Sequence, residues 1–308
     1  MQITRNILII GSEGSAGQVI FDVLNKDSNN TVFRMGRSLP KQDYDKDTFL
    51  HVDLNNILSC RLIEEKYYFE VVIYLAGIWH GKTLEMSNLI ENLSPFNNFI
   101  NTIAKSAKHI MYFSSSAVYG KNNEFNEVLL GEMPNSSYGV SKLLSEHFLV
   151  DFCQKNSKYY TIYRPFHITS LVEKYNPGRS HVVTDFIYKI NEHGRDIELN
   201  RAGFEDIWIP FTWAHDIGLA IKNSIGDPRI YDQIFNIGST YTYSLAQLEK
   251  LIVDSLFQDN DNHLEDFDLT PRSVDYFDKS NEVFDGCFNT NLSTMISEYI
   301  TFNNIRNL

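Results

Sequence analysis

The sequence predicts an α/β fold, a doubly wound parallel sheet with a smaller C-terminal α/β substrate domain. Three observations carry that expectation. Short apolar runs alternate with helix-period segments through the first half of the 308-residue chain. The first run leads directly into three evenly spaced glycines, Gly11, Gly14 and Gly17. The connections between runs are short, which sets each strand beside a crossover helix and parallel to its predecessor.

The elements follow in order. "NILIIG" (6–11) is an apolar run closed by glycine, the mark of a strand buried on both faces. Val19, Ile20, Val23 and Leu24 then recur at helical spacing. "TVFRM" (31–35), "FLHVDL" (49–54) and "VVIYLAG" (71–77) are the next three strands, and a helix runs through Ile90, Phe96, Phe99, Ile100 and Ile103. "HIMYFSSS" (109–116) is the fifth strand, a helix spans about 138–152, and "YTIYRPF" (160–166) is the sixth strand. Residues 1–166 thus read as a dinucleotide-binding domain of Rossmann type, whose ligands lie at the carboxyl ends of the strands. Beyond Phe166 the alternation loosens: "VVTDFIYKIN" (182–191) and "YSLAQLEKLIVDSL" (243–256) read as helices, the second N-capped by Ser244. "QIFNIGS" (233–239) reads as a strand. Residues 167–308 are expected to form mainly a substrate-binding cap, with about 205–240 partly returning to the main sheet.

Composition removes several function classes. At 43% hydrophobic and 21% charged residues the chain sits in the soluble globular range. A formal charge of −12 argues against nucleic acid and against an anionic membrane as partner. Ten acids between Asp254 and Asp285, against only Arg272 and Lys279, read as a solvated face. Cys60, Cys153 and Cys287 are scattered, which suits reduced thiols and neither a disulfide framework nor a metal site. With no signal segment and no apolar run near ~18 residues, a cytoplasmic location is expected.

Glycines between a strand and a helix let backbone approach a pyrophosphate at the positive end of the helix. Gly11, Gly14 and Gly17, with Ser15 and Ala16 among them, are therefore assigned to a nicotinamide dinucleotide. NAD-preferring folds close their second strand with an acid on the ribose hydroxyls. Here "VFRMGRS" puts Gly36 at that place, with Arg37 and Ser38 next, so a 2′-phosphate and hence NADP(H) is expected, NAD(H) remaining open. Glu13, within the glycine loop, is expected to face solvent or a nearby basic group.

Tyr138 and Lys142 stand four apart on a helix and so share a face. A free phenol with a pKa of ~10 is a poor base, and a neighbouring ammonium lowers that value. A serine from the end of strand five would hold the substrate oxygen while its proton moves.

"GSEGSAG", "HVDL", "IYLAG", "SSSAVYG", "YGVSK" and "YRPF" occur in the order and spacing of one group. The chain resembles the extended short-chain dehydrogenase/reductases of the NAD-dependent epimerase/dehydratase type, which act on nucleotide sugars. The resemblance implies that Ser115 is the active-site serine, Tyr138 the general acid/base and Lys142 its activator. It implies adenine contacts from Asp53 and Leu54, contacts to the middle of the cofactor from Leu75, Ala76 and Gly77, and one near the nicotinamide from Pro165. Trp79 and His80, in the loop after strand four, lie where the substrate enters, beside Ser115 and Ser116.

The chain also departs from the pattern. Ser116 and Ala117 replace the dehydratase Asp–Glu pair, which argues against sugar dehydration. His167 stands where many relatives place a substrate-binding Asn. Ile209 stands near the usual diphosphate-binding arginine, leaving Arg272, ahead of Arg201 and Arg179, as the candidate for that role. The expected activity is NADP-preferring reduction of a 4-keto group on a nucleotide-linked deoxysugar. A nucleotide-sugar 4-epimerase with tightly bound cofactor shares the same three side chains, and a non-catalytic NADP sensor would need none of them. A homodimer is expected through helices about 88–106 and 138–153, whose apolar residues include Phe96, Phe99, Leu143, Leu144 and Phe148.

Overall fold

The structure is a computed structural model that describes residues 5–40, 45–79, 81, 83–121, 125–128, 133–194, 203–257 and 269–305. Its elements run β1 (Arg5–Ile10), α1 (Ser15–Leu24), β2 (Asn30–Gly36), β3 (Phe49–His51), α2 (Ile57–Lys66), β4 (Phe69–Tyr74) and α3 (Met86–Asn101). β5 (Ala107–Phe113), α4 (Ser137–Lys155), β6 (Tyr159–Pro165), β7 (Ile168–Thr169) and α5 (Val182–His193) follow. The remainder is β8 (Trp208–Pro210), β9 (Thr212–Trp213), α6 (Ala214–Ser224), β10 (Gln233–Ile237), β11 (Tyr241–Ser244), α7 (Leu245–Phe257), β12 (Arg272–Ser273), α8 (Asp278–Val283) and α9 (Leu292–Phe302).

Seven strands form one parallel sheet in the order β10-β6-β5-β4-β1-β2-β3. The order reverses between β1 and β4, and the crevice at such a switch point is where ligands bind. Side chains alternate across the strands. Leu8, Ile10, Val72, Tyr74, Ile110 and Tyr112 pack against Cys60, Ile63, Phe96, Phe99 and Leu149 from α2, α3 and α4. Ile7, Ile9, Ile73, Met111 and Phe113 face Ile20 and Leu24 of α1 and Ile217 and Ile221 of α6. Both faces are thus covered, as an all-parallel sheet requires.

Several strands end earlier than their apolar runs suggest: β4 stops at Tyr74, β5 at Phe113 and β3 at His51. The residues beyond them turn into the crevice. β10 and α6 come from the second half of the chain and join the main sheet and its helical layer.

A separate core lies in the second half, built from Val183, Ile187 and Ile190 of α5, Leu248 and Ile252 of α7, and Met295, Ile296 and Tyr299 of α9. It packs beside a three-stranded sheet, β12-β11-β8. α7 begins with a reciprocal capping box, because Ser244 Oγ accepts from Gln247 N at 3.1 Å and Gln247 Oε1 accepts from Ser244 N at 2.9 Å. The two assemblies touch at the glycine loop, where Ser170 Oγ donates to Ser15 O at 2.8 Å. Cys60 and Cys153 are buried free thiols and Cys287 is partly buried. Among the described residues no helix is long and apolar enough to cross a membrane, and no group of three or more His, Cys, Asp or Glu residues is placed to hold a metal.

Candidate functional site

The glycine loop links β1 to α1 at the switch point. Gly11 has φ +84°, and a Cβ there would lie 2.9 Å from Ala76 N. A Cβ on Gly17 would collide with Gly11 O. These two glycines therefore fold the loop back on itself and against the end of β4. α1 starts with no side-chain cap and no acid in its first turn, so its first N–H groups remain available to an anion. The residues present fit a dinucleotide pyrophosphate, with Gly14, Ser15 and Ala16 around the helix start. Asp53 is exposed just beyond β3, and Leu54 beside it is buried. Leu75, Ala76 and Gly77 line the turn after β4, and Pro165 closes β6.

The reactive side chains meet beside the ends of β4 and β5. α4 opens with Ser136 as N-cap, its Oγ accepting from Gly139 N at 3.1 Å. A Cβ on Gly139 would lie 2.5 Å from Ala117 O, so that glycine lets α4 approach the turn that carries Ser115. Ser115 Oγ accepts from Ala117 N at 3.2 Å and lies near enough to the Tyr138 phenol to oppose the rise in its pKa. Lys142 Nζ donates to Phe113 O at 2.7 Å and lies 5.6 Å from the centre of the Tyr138 ring. Gly77 makes room for that ammonium, since a Cβ there would sit 3.1 Å from Lys142 Nζ.

Burial sets the protonation of this pair. The Tyr138 phenol is pushed up to about 12, opposed by the Ser115 hydrogen bond. Lys142, 4% exposed, is pushed down to about 7, opposed by the Glu146 carboxylate. The expected lowering of the phenol by its lysine does not appear in this arrangement, where burial dominates and only the Ser115 hydroxyl opposes it.

Two features of the site were not anticipated. Asn92 on α3 is buried, accepts from Ile78 N at 2.7 Å and donates to Ile78 O at 2.9 Å, which fixes the loop after β4. Arg164 on β6 is 1% exposed and forms a fork on Glu146 of α4, at 3.1 and 2.7 Å. Its Nη1 donates to Tyr119 Oη at 2.9 Å, and that hydroxyl donates to Asn236 Oδ1 at 2.7 Å. The motif "YRPF" contains this arginine, and the four-residue step from Lys142 to Glu146 on one helix face was the available signal.

The candidate substrate residues are less closely grouped. Trp79 is 52% exposed. His80 lies outside the described residues, as does Arg201. Ser116 begins the short helical turn after Ser115. His167 is exposed just after β6 with φ 38°, which does not suit a packing role. Arg272, on β12, lays its guanidinium 3.6 Å from the centre of the Trp208 ring in the second assembly, and Ile209 is buried in β8.

At the other end of the crevice, Gly36 ends β2, and Arg37 and Ser38 beyond it are exposed. Glu13 does meet a basic group: Arg34 Nη2 donates to its Oε1 at 2.5 Å.

Solved structures of the same architecture are numerous. UDP-glucose 4-epimerase of Thermotoga maritima, solved with UDP-glucose, is 18% identical with a TM-score of 0.78, covering 97% of this chain and 98% of that one. UDP-glucose 4-epimerase of Thermus thermophilus in complex with NAD is 14% identical, with a TM-score of 0.75 over 97% and 99% of the two chains. ADP-L-glycero-D-manno-heptose-6-epimerase of Helicobacter pylori is 20% identical, with a TM-score of 0.74 over 97% and 96%. No curated protein matches the sequence significantly. Residues 7–238 match the NAD dependent epimerase/dehydratase family, from β1 through the loop after β10. That match covers most of the chain, and the chain belongs to the NAD dependent epimerase/dehydratase family.

Proposed function

We propose that the protein reduces a 4-keto group on a nucleotide-linked deoxysugar. The observation that carries this is the meeting of Ser115, Tyr138 and Lys142 beside the turn that holds the glycine cradle against β4. A bound nicotinamide dinucleotide supplies the hydride from its ring. Tyr138 gives its phenolic proton to the oxygen of the reduced carbonyl. Ser115, beside that phenol, holds the same oxygen in line. Lys142 in its charged form stabilises the phenolate left behind and, from beside Gly77, reaches toward the cofactor ribose. The assembly around α5, α7 and α9, within residues 167–308, serves as the sugar-nucleotide side, with Trp79, Ser116, His167 and Arg272 at its approaches.

NADP(H) is the cofactor that Arg37 and Ser38 suggest. The carboxylate that Glu13 brings up to Gly36 favours NAD(H) instead. A nucleotide-sugar 4-epimerase is the second candidate, supported by structural relatives that are themselves such epimerases. Substrate-dependent oxidation of NADH with 4-keto-6-deoxy sugars carried on dTDP, UDP, GDP or CDP, absent in Tyr138→Phe, is the result expected. Interconversion of two sugars with no net cofactor change would establish the epimerase, and neither outcome across the panel would remove both.

Two copies are expected to pair through α3 and α4. Met86 and Ile90 on α3 and Leu144 and Phe148 on α4 are exposed, whereas Phe96 and Phe99 belong to the main core and Leu143 packs against the cluster of Val118, Tyr119, Phe166 and Phe277. Phe148→Asp should convert a dimer to a monomer in light scattering. A wild-type monomer would end the pairing.

A further inference from the structure

Dinucleotide folds that take NAD close their second strand with a carboxylate that receives the adenosine ribose hydroxyls. β2 ends in Gly36 and offers no side chain. The space is nevertheless claimed: a Cβ on Gly36 would lie 3.3 Å from Glu13 Cγ. The glycine-loop acid therefore lies in close contact with the place where a β2 side chain would begin.

We infer that Glu13 replaces the missing β2 acid, binding the adenosine ribose hydroxyls from the glycine loop and making the protein select NAD(H) over NADP(H). This rests on the dinucleotide site proposed above. The carboxylate is held in place at one oxygen only. Glu13 Oε1 accepts from Arg34 Nη2 at 2.5 Å and from Ser12 Oγ at 3.2 Å, while Oε2 has no partner among the described residues. An ionised carboxylate is an acceptor for hydroxyl donors, so Oε2 suits a ribose diol. A 2′-phosphate brings no such donor and would set a second anion against the first.

Arg34 does not reverse that balance. Its guanidinium is committed to Glu13 and lies 4.5 Å from the centre of the Phe21 ring and 5.8 Å from that of Phe49. Its side chain is 15% exposed, against 22% for Glu13, so the acid is the more open member of the pair. Arg37 and Ser38 stand beyond the end of β2, exposed to solvent. The cation nearest Gly36 on its own strand face is thus used to hold an acid.

The test is a pair of binding titrations, NADH against NADPH, on the full chain without substrate. Wild type should bind NADH at least about tenfold tighter, the effect of one charge-assisted hydrogen bond. Glu13→Gln should bring the two affinities to within about threefold, by weakening NADH and admitting NADPH. Glu13→Ala combined with Gly36→Asp returns a carboxylate to β2 and should restore the NADH preference. A wild-type preference for NADPH, equal binding of the two, or a ratio unchanged in Glu13→Gln would overturn the assignment. Binding of neither cofactor would overturn it together with the dinucleotide site, whereas the first three outcomes leave that site standing.

Discussion

The two ends of the crevice are built in different ways. Beside β4 and β5, Ser115, Tyr138 and Lys142 are set by backbone: an N-capped helix, a glycine that lets it approach a turn, and a carbonyl that receives the ammonium. Beside β1 and β2, the decisive contact is a side-chain pair, Glu13 with Arg34, joined across a loop and a strand. Backbone-set geometry follows from local motifs, which is how Ser115, Tyr138 and Lys142 come together. Side-chain pairs can be exchanged singly, so the β2 end is where this chain's residues, Gly36 with Glu13 packed against it, differ from the usual strand-end acid.

The largest effect should separate the ends. Tyr138→Phe removes the proton donor without touching the glycine cradle, so turnover should fall by about 10²–10⁴, the usual share of general acid–base catalysis. NADH affinity, read by titration, should stay within about threefold. Loss of both together would mean that the ends are not independent.

A somewhat smaller effect should appear in stability. Glu146→Gln leaves the 1%-exposed Arg164 without its carboxylate, and breaking such a buried pair costs about 3–5 kcal/mol. The urea midpoint should drop with little change in slope. By contrast Glu13→Gln breaks a part-exposed pair and should shift the midpoint far less. Equal shifts would contradict the contrast between a buried frame and an open specificity contact.

How far each end could be read from the sequence follows the same division. Helix spacing and glycine spacing are local, so the triad, the cradle and the six strands of the first half were legible. The first half of α4 is a case where motif outran pattern, because its buried face there includes Ser141, Lys142, Ser145 and Glu146, and buried apolar residues take over only at Leu149 and Cys153. α2 escaped for the opposite reason: Leu58 and Leu62 face solvent at 67% and 64% exposure, so its few apolar residues misstate its buried side. The Glu13–Arg34 pair depends on which β2 side chains share a face. Arg34 and Gly36 are two apart and do, while Arg37, on which the NADP expectation rested, lies past the strand end. Asn92 and the Arg164 network need tertiary placement and left only weak local signals.

A pH titration sharpens the triad end. The Lys142 ammonium falls from the usual 10.5 to about 7 by burial. Above the unfolded value the lysine is neutral in both states and costs nothing. As pH falls toward about 7, the unfolded chain binds the proton first, and native stability declines until both states are charged. Lys142→Met removes that slope. Its stability relative to wild type should therefore rise as pH falls from about 10 to 7, whatever constant offset comes from the lost bond to Phe113 O. A pH-independent difference between the two proteins would show that Lys142 keeps an ordinary pKa.

The smallest effect is the one that decides between Arg34 on β2 and Arg37 beyond it. Arg37 is exposed and makes no ion pair among the described residues, whereas Arg34 is held by Glu13 between two rings. If Glu13 governs the choice, Arg37→Ser should alter NADPH affinity by less than about threefold, as expected for a screened surface charge, and leave NADH unchanged. If Arg37 grips a 2′-phosphate, the same substitution should cost NADPH at least about tenfold, the loss of one charge-assisted contact. The two variants then form a crossed pair. Glu13→Gln should move the NADH/NADPH ratio and Arg37→Ser should not, and the reverse pattern would return cofactor choice to the exposed arginine beyond β2.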